Sequence, residues 1–317
     1  MHPLEKYLRP EEDSLLALTV RGVLWAASLP YQAAIWFRNN AYRSKWRNSH
    51  RADIPVISVG NITTGGTGKT PVCIFLAKKL RDRGLRVAIL SRGYRALEDG
   101  ANDEAKEIES LLPDVPHLQS PNRIESATIA HQELDMEVLL LDDGFQHRRL
   151  MRDLDIVLLD ATNPFGWGYL LPRGLLREPI KELRRADLII ATRADQVHPQ
   201  ELANIRNRVQ VVNPKAGWIE AIHAPSCWSK SSGERIPLDK LEGKPVLAVC
   251  GIGNPKAFLK SLESIGVNLV DSIQFPDHHP YTTTDIAQII ERAQRCSPRP
   301  EAIVCTGKDL AKLASPT

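Results

Sequence analysis

A glycine-rich loop near the start of the chain has the clearest chemical signature. Residues 65–70 read Gly-Gly-Thr-Gly-Lys-Thr and lie between a β-branched run ending at Val59 and an apolar helical stretch beginning near Pro71. Glycines allow a tight turn whose backbone N–H groups point at phosphate oxygens, and the helix N-terminus adds its positive dipole end. The loop therefore predicts a nucleotide site, in which Lys69 bridges the β- and γ-phosphates and the Thr70 hydroxyl binds magnesium.

The predicted phosphate-binding segment departs from the strict P-loop pattern at one position. The pattern G-x-x-x-x-G-K-[ST] places glycine at position 63, where this chain has Thr63. A plain glycine-rich turn is the alternative interpretation, and the Lys-Thr pair at the start of a helix argues against it. The predicted segment comprises Thr63, Thr64, Gly65, Gly66, Thr67, Gly68, Lys69 and Thr70.

Two acidic residues after an apolar run supply the second part of such a site. Asp142 and Asp143 directly follow the run 138–141, and Gln146 and His147 come in the same turn. A magnesium-dependent P-loop site needs a carboxylate at the end of a neighbouring strand, where it orients the water shell of the metal. A loop carboxylate without function is the alternative, but beside a P-loop the pair is predicted to hold magnesium.

An α/β fold must position these residues. From Ile54 onward, short β-branched runs alternate with helix-like stretches, which is typical of a mainly parallel sheet with flanking helices. The predicted strands of this P-loop NTPase-like sheet are 55–59, 86–90, 137–141, 156–159, 188–191 and 209–212. A second, smaller α/β domain is predicted from strands 244–249 and 303–305 and from helices 255–265 and 284–295.

Four segments follow from this pattern. Residues 1–50 are predicted to form an N-terminal membrane-associating helical segment, and residues 51–213 a P-loop domain. Residues 214–243 have Ser, Lys, Gly and Pro punctuation with one predicted strand, 218–223, and are interpreted as a connector. Residues 244–317 are predicted to form the smaller α/β domain.

The N-terminal segment has the composition of a membrane-surface helix. Arg21, Pro30 and Gln32 interrupt its apolar run at 15–37, and a span needs roughly 20 predominantly apolar residues. Aromatic and cationic side chains both favour the lipid headgroup layer, so a monotopic anchor is predicted. An ordinary helix packed on the domain behind it is the alternative. The side chains concerned are Trp36, Arg38, Tyr42, Arg43, Lys45, Trp46, Arg47 and Arg51.

The overall composition is globular and typical of a reducing cytosol. The 317 residues are 43% hydrophobic and 25% charged, and the five cysteines are widely spaced without a C-x-x-C pair. The first fourteen residues carry four acidic side chains, so no signal peptide is expected. A net charge of +3 is too small to indicate nucleic-acid binding, and no nucleic-acid partner is predicted.

Several further blocks, in order along the chain, resemble one enzyme family, the tetraacyldisaccharide 4'-kinases of lipid A biosynthesis. The resemblance covers residues 15 to about 313. It rests on Val59-Gly60-Asn61 leading into the glycine loop, Ser91-Arg92-Gly93-Tyr94, Asp142-Asp143-Gly144-Phe145-Gln146-His147, Arg152-Asp153, Leu170-Leu171-Pro172, Leu176-Arg177-Glu178-Pro179 and Phe275-Pro276-Asp277-His278-His279.

This resemblance implies a P-loop kinase domain that uses ATP and Mg²⁺. The implied acceptor is the 4'-hydroxyl of a tetraacyldisaccharide 1-phosphate glycolipid, and the implied location is peripheral, at the cytoplasmic face of the bacterial inner membrane. No protein partner is predicted.

The resemblance also implies roles for single residues. Lys69 and Thr70 hold nucleotide and metal, Asp142 and Asp143 manage magnesium, and Arg177 meets phosphate charge. Asp103 matches the catalytic base of the family, although its motif reads Asn-Asp-Glu-Ala here rather than Gly-Asp-Glu-Pro, and His278 matches the histidine partner of that base.

Two other functional classes compete with a kinase. Thr192-Arg193-Ala194-Asp195 follows a predicted strand and is close to the N/T-K-x-D signature that selects guanine, so a regulatory GTPase is one alternative. An ATP-dependent membrane scaffold without phosphotransfer is the other. A GTPase would hydrolyse GTP without lipid, whereas a scaffold would bind nucleotide and liposomes but never phosphorylate lipid.

Overall fold

The structure is a computed structural model that describes residues 8, 12, 14–93, 103–253, 255–277 and 279–313. Its described part separates into two compact units on either side of the Ile222–His223 bond. The first unit contains seven strands: β1 (Val56–Asn61), β2 (Val87–Ser91), β3 (His117–Gln119), β4 (Val138–Asp142), β5 (Leu154–Asp160), β6 (Leu188–Thr192) and β7 (Gly217–Glu220). All pair in parallel, in the order β3-β2-β4-β1-β5-β6-β7.

The central strands bring three chain segments to one edge of this sheet. β1 lies between β4 and β5, with Val59 paired to Asp142 on one side and to Ile156 on the other. Parallel strands end at the same edge, so the loops after β1, β4 and β5 are neighbours there. The predicted P-loop and the predicted carboxylates therefore lie side by side.

Helices cover both faces of the sheet, as the buried pattern of its strands requires. β4 is buried along its whole length, and β2 along all but its last residue, which is the pattern of parallel strands sandwiched between helices. The helices of this unit are α1 (Leu15–Arg43), α2 (Lys69–Arg81), α3 (Asp103–Leu111), α4 (Arg123–Gln132) and α5 (Pro199–Val212). The predicted fold class is confirmed.

One predicted strand is wrong. Residues 209–212 form the last turn of α5, which begins at Pro199 in the first helical position and is capped by the His198 side chain. Val209 is buried while Val211 is 85% exposed, although residues i and i+2 of a strand would share one face. Proline at the first position and an N-cap acceptor fix a helix start, and the β-branched run ten residues later does not override it.

The seventh strand of the sheet comes from the segment interpreted as a connector. β7 pairs with β6 from the Leu188–Gly217 pair to the Ala191–Glu220 pair. The rest of that segment contributes two short antiparallel strands, β8 (Trp228–Ser229) and β9 (Arg235–Ile236), to the second unit.

The second unit is a smaller α/β layer. Its three parallel strands are β10 (Pro245–Cys250), β11 (Asn268–Gln274) and β12 (Ala302–Cys305), in the order β11-β10-β12. Its helices are α6 (Pro255–Ser264), α7 (Thr283–Arg295) and α8 (Gly307–Leu313). Asp309 is buried here and accepts hydrogen bonds from Gly251 N and the Tyr281 hydroxyl, each at 3.0 Å.

The N-terminal helix α1 runs without interruption for 29 residues, with Pro30 inside it. Ser14 caps it, accepting a hydrogen bond from Ala17 N. Within the described residues, no helix is both long enough and apolar enough to cross a membrane.

Candidate active site

The glycine-rich loop adopts a conformation that only its glycines allow easily. Gly65 and Gly68 have φ angles of +111° and +86°, where a side chain would strain the backbone. Asn61 at the end of β1 is buried and donates from Nδ2 to Thr67 Oγ1 at 3.1 Å. The Gly68 turn leads directly into α2, so Lys69 and Thr70 occupy the first turn of that helix. The open backbone at Gly65 and Gly66, with no atom within 4 Å of an added Cβ, leaves room for a phosphate chain.

Two cations and one carboxylate converge beside this loop. Lys69 Nζ lies 3.7 Å from Asp143 Oδ1, and Arg177 Nη1 donates to both Asp143 oxygens at 2.8 and 2.9 Å. Burial alone would raise the pKa of Asp143, but Lys69, Arg177 and Arg123 outweigh it and hold that pKa below its ordinary value. Asp143 is therefore an anion at neutral pH, and the cluster retains an excess of positive charge.

The other carboxylate of the pair faces the first turn of α2. Thr70 Oγ1 donates to Asp142 Oδ2 at 3.4 Å, and both residues are buried. Hydroxyl and carboxylate oxygens are the ligands that Mg²⁺ prefers, and magnesium at nucleotide sites takes one or two carboxylates together with phosphates and waters. No cluster of three or more His, Cys, Asp or Glu side chains that could hold a metal occurs in the described part of the chain. The Thr70–Asp142 pair supplies one hydroxyl and one carboxylate oxygen, a donor set that fits magnesium bound together with nucleotide phosphates.

Arg123 fixes the turn that carries the two carboxylates, and sequence reasoning missed it. This buried side chain donates from Nη2 to Asp142 O at 2.7 Å and from Nη1 to Asp143 O at 3.1 Å. Asp143 itself has a φ of +53°, and a Cβ at Gly144 would lie 2.5 Å from Ser58 Oγ. Such a tight turn needs its carbonyls satisfied, and an arginine at the start of a helix nineteen residues upstream gives no sequence signal of that role.

Residues at the end of β6 also hold the P-loop, through hydrogen bonds to its backbone. Thr192 Oγ1 donates to Thr67 O at 3.1 Å, and Arg193 Nη2 donates to Gly66 O at 2.8 Å while Nη1 of the same side chain pairs with Asp160. The Thr-Arg-Ala-Asp run that suggested guanine selection therefore contacts the P-loop backbone. At this edge of the sheet, Thr192 and Arg193 hold the P-loop, which differs from the guanine-selecting role that their sequence suggested.

Two polar side chains that follow the carboxylates, Gln146 and His147, each have a buried atom without a hydrogen-bond partner among the described residues. Gln146 donates to Asn61 O at 2.8 Å, but its Oε1, like His147 Nε2, is buried without a hydrogen-bond partner among the described residues. Burial, reinforced by Arg123, Arg149 and Arg152, lowers the pKa of His147 to about 4, so its ring is neutral at pH 7.

The remaining predicted residues are only partly described. Asp103 is the first residue of α3, and its side chain lies outside the described part of the structure. His278 also lies outside it. Of the predicted site, the structure brings together the P-loop, Lys69, Thr70, both carboxylates and Arg177.

Comparisons with known proteins agree on one family. A family model described as tetraacyldisaccharide-1-P 4'-kinase matches residues 20–317. The protein named tetraacyldisaccharide 4'-kinase from Halothermothrix orenii is 37% identical over 312 residues, which is 90% of this chain and 80% of that protein. Its namesake from Syntrophus aciditrophicus is 41% identical over 314 residues, covering 90% and 83%. The crystal structure of LpxK from Aquifex aeolicus in complex with ATP superposes with a TM-score of 0.70 at 33% identity, covering 93% of this chain and 91% of that one.

Proposed function

The chain belongs to the tetraacyldisaccharide-1-P 4'-kinase family, and we propose that it transfers the γ-phosphate of ATP to the 4'-hydroxyl of a tetraacyldisaccharide 1-phosphate, forming lipid IVA in lipid A biosynthesis. One observation supports the transfer most directly. Lys69 and Arg177 converge on Asp143 at the start of α2, where a P-loop presents its backbone N–H groups. Phosphoryl transfer depends almost entirely on such positioning and charge.

The residues of the loop bind and orient the nucleotide. Backbone N–H groups of residues 65–70 surround the phosphates, and Lys69 reaches their terminal oxygens. Arg177 and Lys69 stabilise the negative charge that spreads over the transferred group, because both are held against Asp143 rather than free in solvent. Asp143 in turn orients the two cations, because it pairs with both.

Mg²⁺ would be held by Thr70 and Asp142. Their oxygens, 3.4 Å apart and buried, face each other across the start of α2. When bound there, the ion neutralises charge on the nucleotide phosphates. Arg123 fixes the carbonyls of both carboxylate residues and so keeps Asp142 in reach of Thr70.

Activation of the acceptor is assigned to Asp103 and His278 on the family resemblance. A sugar hydroxyl is a weak acid, so a positioned base is commonly worth about 10²–10⁴-fold in rate. Asp103→Asn and His278→Ala are each expected to lower kcat within that range, measured with ATP and lipid saturating. If both residues serve one proton transfer, the double variant loses no more than the worse single variant. Losses that multiply, or a normal rate in Asp103→Asn, would contradict the assignment, and His223→Ala serves as an exposed-histidine control.

The glycolipid acceptor places this reaction at a membrane surface, and α1 is proposed to hold the protein there. Large apolar side chains lie exposed along one stripe of this helix at spacings of three, four and seven residues, which is one helical face. They are Leu15, Leu18, Trp25, Leu29 and Trp36, and Leu16, Val23 and Phe37 are also exposed on α1 outside this stripe. Fully burying one such side chain contributes at most about 1.5–3 kcal/mol, and the stripe combines several, which favours peripheral binding. The acceptor of lipid A biosynthesis assigns that binding to the cytoplasmic face of the inner membrane.

Replacing Leu18, Trp25 and Trp36 with glutamine tests this binding. Flotation with anionic liposomes should be lost and the apparent KM for lipid in vesicles should rise, because the headgroup layer no longer receives apolar side chains. ATP affinity should not change. Val211→Gln, which alters an even more exposed apolar residue on α5, is the control. Equal flotation of the triple variant and the wild type would rule out the stripe as the anchor.

The proposed reaction itself is tested by incubating the protein with γ-³²P-ATP, Mg²⁺ and a tetraacyldisaccharide 1-phosphate in detergent micelles. Label should enter the lipid, in a product with one phosphate more than the acceptor. Lipid-independent GTP hydrolysis would favour a GTPase. Nucleotide and liposome binding without labelled lipid would favour a scaffold.

A further inference from the structure

The two faces of α1 contact different surroundings. Its exposed stripe is described above, whereas Ala17, Ser28, Ile35 and Asn39 are buried against the first unit. Tyr31 lies three residues after Ser28, and Arg38 lies three residues after Ile35, so both are on this buried side. The helix is therefore docked on its own domain along the side away from the stripe.

The docked side contacts the segment that carries Arg177. The Tyr31 hydroxyl donates to Arg177 O at 2.9 Å. Arg38 forms an ion pair with Glu178, whose side chain is fully buried and also pairs with Arg185. Two consecutive residues of one active-site segment are thus held by one helix, through a backbone carbonyl and through a buried carboxylate.

The opposite edge of the same segment contacts the P-loop. Arg177 N donates to Ile62 O at 2.7 Å, and Leu176 forms an isolated antiparallel β-bridge with Thr63. The Arg177 side chain points to Asp143. The segment therefore lies between α1 and the start of the P-loop, and a change in its path would move the Arg177 guanidinium relative to Lys69.

We propose that α1 is a positioning element for the reaction: Tyr31 and the Arg38–Glu178 pair set the backbone of Arg177, so the helix that meets the lipid surface also holds the arginine that meets phosphate charge. This inference rests on the proposed kinase function. Its consequence is that loss of the Tyr31 contact impairs transfer even when the protein stays on the membrane. Tyr31 and Glu178 act through Arg177 and touch no substrate.

Tyr31→Phe is the sharpest test, because it keeps the ring and removes only the donor to Arg177 O. A neutral hydrogen bond of this kind corresponds to about a 3- to 10-fold change in rate. We expect kcat for micellar lipid to fall by that factor, while KM for ATP and liposome flotation stay at wild-type values and the thermal midpoint falls by no more than a few degrees. Tyr169→Phe is the matched control, since no hydrogen bond from that hydroxyl is described and its ring stacks on Arg173. A kcat within twofold of wild type in Tyr31→Phe would overturn the proposal.

A double-mutant cycle separates positioning of Arg177 from a general effect on the fold. In an Arg177→Ala background the Tyr31→Phe change should cost nothing further, because the side chain that it positions is gone. The same fold-loss in both backgrounds would overturn the proposal. Arg38→Lys, which keeps the charge opposite Glu178, should retain more activity than Arg38→Gln, and equal losses would likewise count against it. Failure of the kinase proposal is distinguishable, since the wild type would then label no lipid.

Discussion

Lys69→Met is expected to lower kcat by about 10²–10³-fold or more, the cost of removing one preorganised charge from a transition state. Lys69 is held in the first turn of α2 with its Nζ 3.7 Å from Asp143, so its charge lies beside the glycine-rich loop before a nucleotide binds. Methionine keeps the length and apolar stem of lysine. The fold should therefore be retained, and the loss should appear in single-turnover transfer from ATP to lipid.

Lys79→Met provides a matched control for this variant. Lys79 lies on the same helix, is exposed, and contacts the Phe75 ring with its ammonium 5.9 Å from the ring centroid. The same substitution there should leave transfer unchanged. Near-normal transfer by Lys69→Met would remove the P-loop from the mechanism, and an equal loss in both variants would point to damage to α2 instead.

Sequence reasoning predicted those parts of the site whose signals are local. The glycine loop and the Asp142-Asp143 pair each follow a buried run of β-branched or aliphatic residues, and parallel strands bring such ends to one edge. The order of the strands was not predictable in the same way. That β1 lies between β4 and β5 depends on packing of helices over the whole sheet, which no single run of residues records.

The parts that were missed are long-range contacts of arginine. Each of these arginines contacts a residue at least 19 positions away in the sequence. Arg123 donates to the Asp142 carbonyl, Arg193 pairs with Asp160, and Arg38 pairs with Glu178. In the sequence, Arg38 belonged to a cationic stretch assigned to lipid headgroups. In the structure, Arg38 and Arg43 pair with buried carboxylates of the protein, Glu178 and Glu182 respectively. A basic residue beside aromatic residues has the same local pattern in either role, so only the fold distinguishes them.

The Val209–Val212 error has a different origin. β-Branched residues favour strands through packing on a pleated, half-buried surface, and that preference depends on context. Here a helix starts at His198 and Pro199, and residues 209–212 are the last of its 14 residues. The capping residues therefore determine the structure of this segment, and the composition of its last turn does not.

Arg177→Ala is expected to slow the chemical step by about 10²–10³-fold while weakening ATP binding much less, because the guanidinium meets charge that grows only in the transition state. Nη1 of Arg177 contacts both oxygens of Asp143, so its removal leaves that carboxylate with only the charges of Lys69 and Arg123 to lower its pKa and raises the pKa of Asp143 from its lowered value. A lysine at this position can restore charge but not the planar donor geometry, so Arg177→Lys should be intermediate.

Single-turnover transfer and equilibrium binding of ATP, measured on the same preparations, separate these effects. Arg81→Ala is the control, since Arg81 is exposed and also pairs with a carboxylate, that of Asp114. If Arg177→Ala weakened ATP binding and transfer by the same factor, the arginine would act on the ground state as strongly as on the transition state. The coupling of Arg177 to α1 would then change ATP affinity rather than the rate of transfer, and Tyr31→Phe would shift KM for ATP instead of kcat.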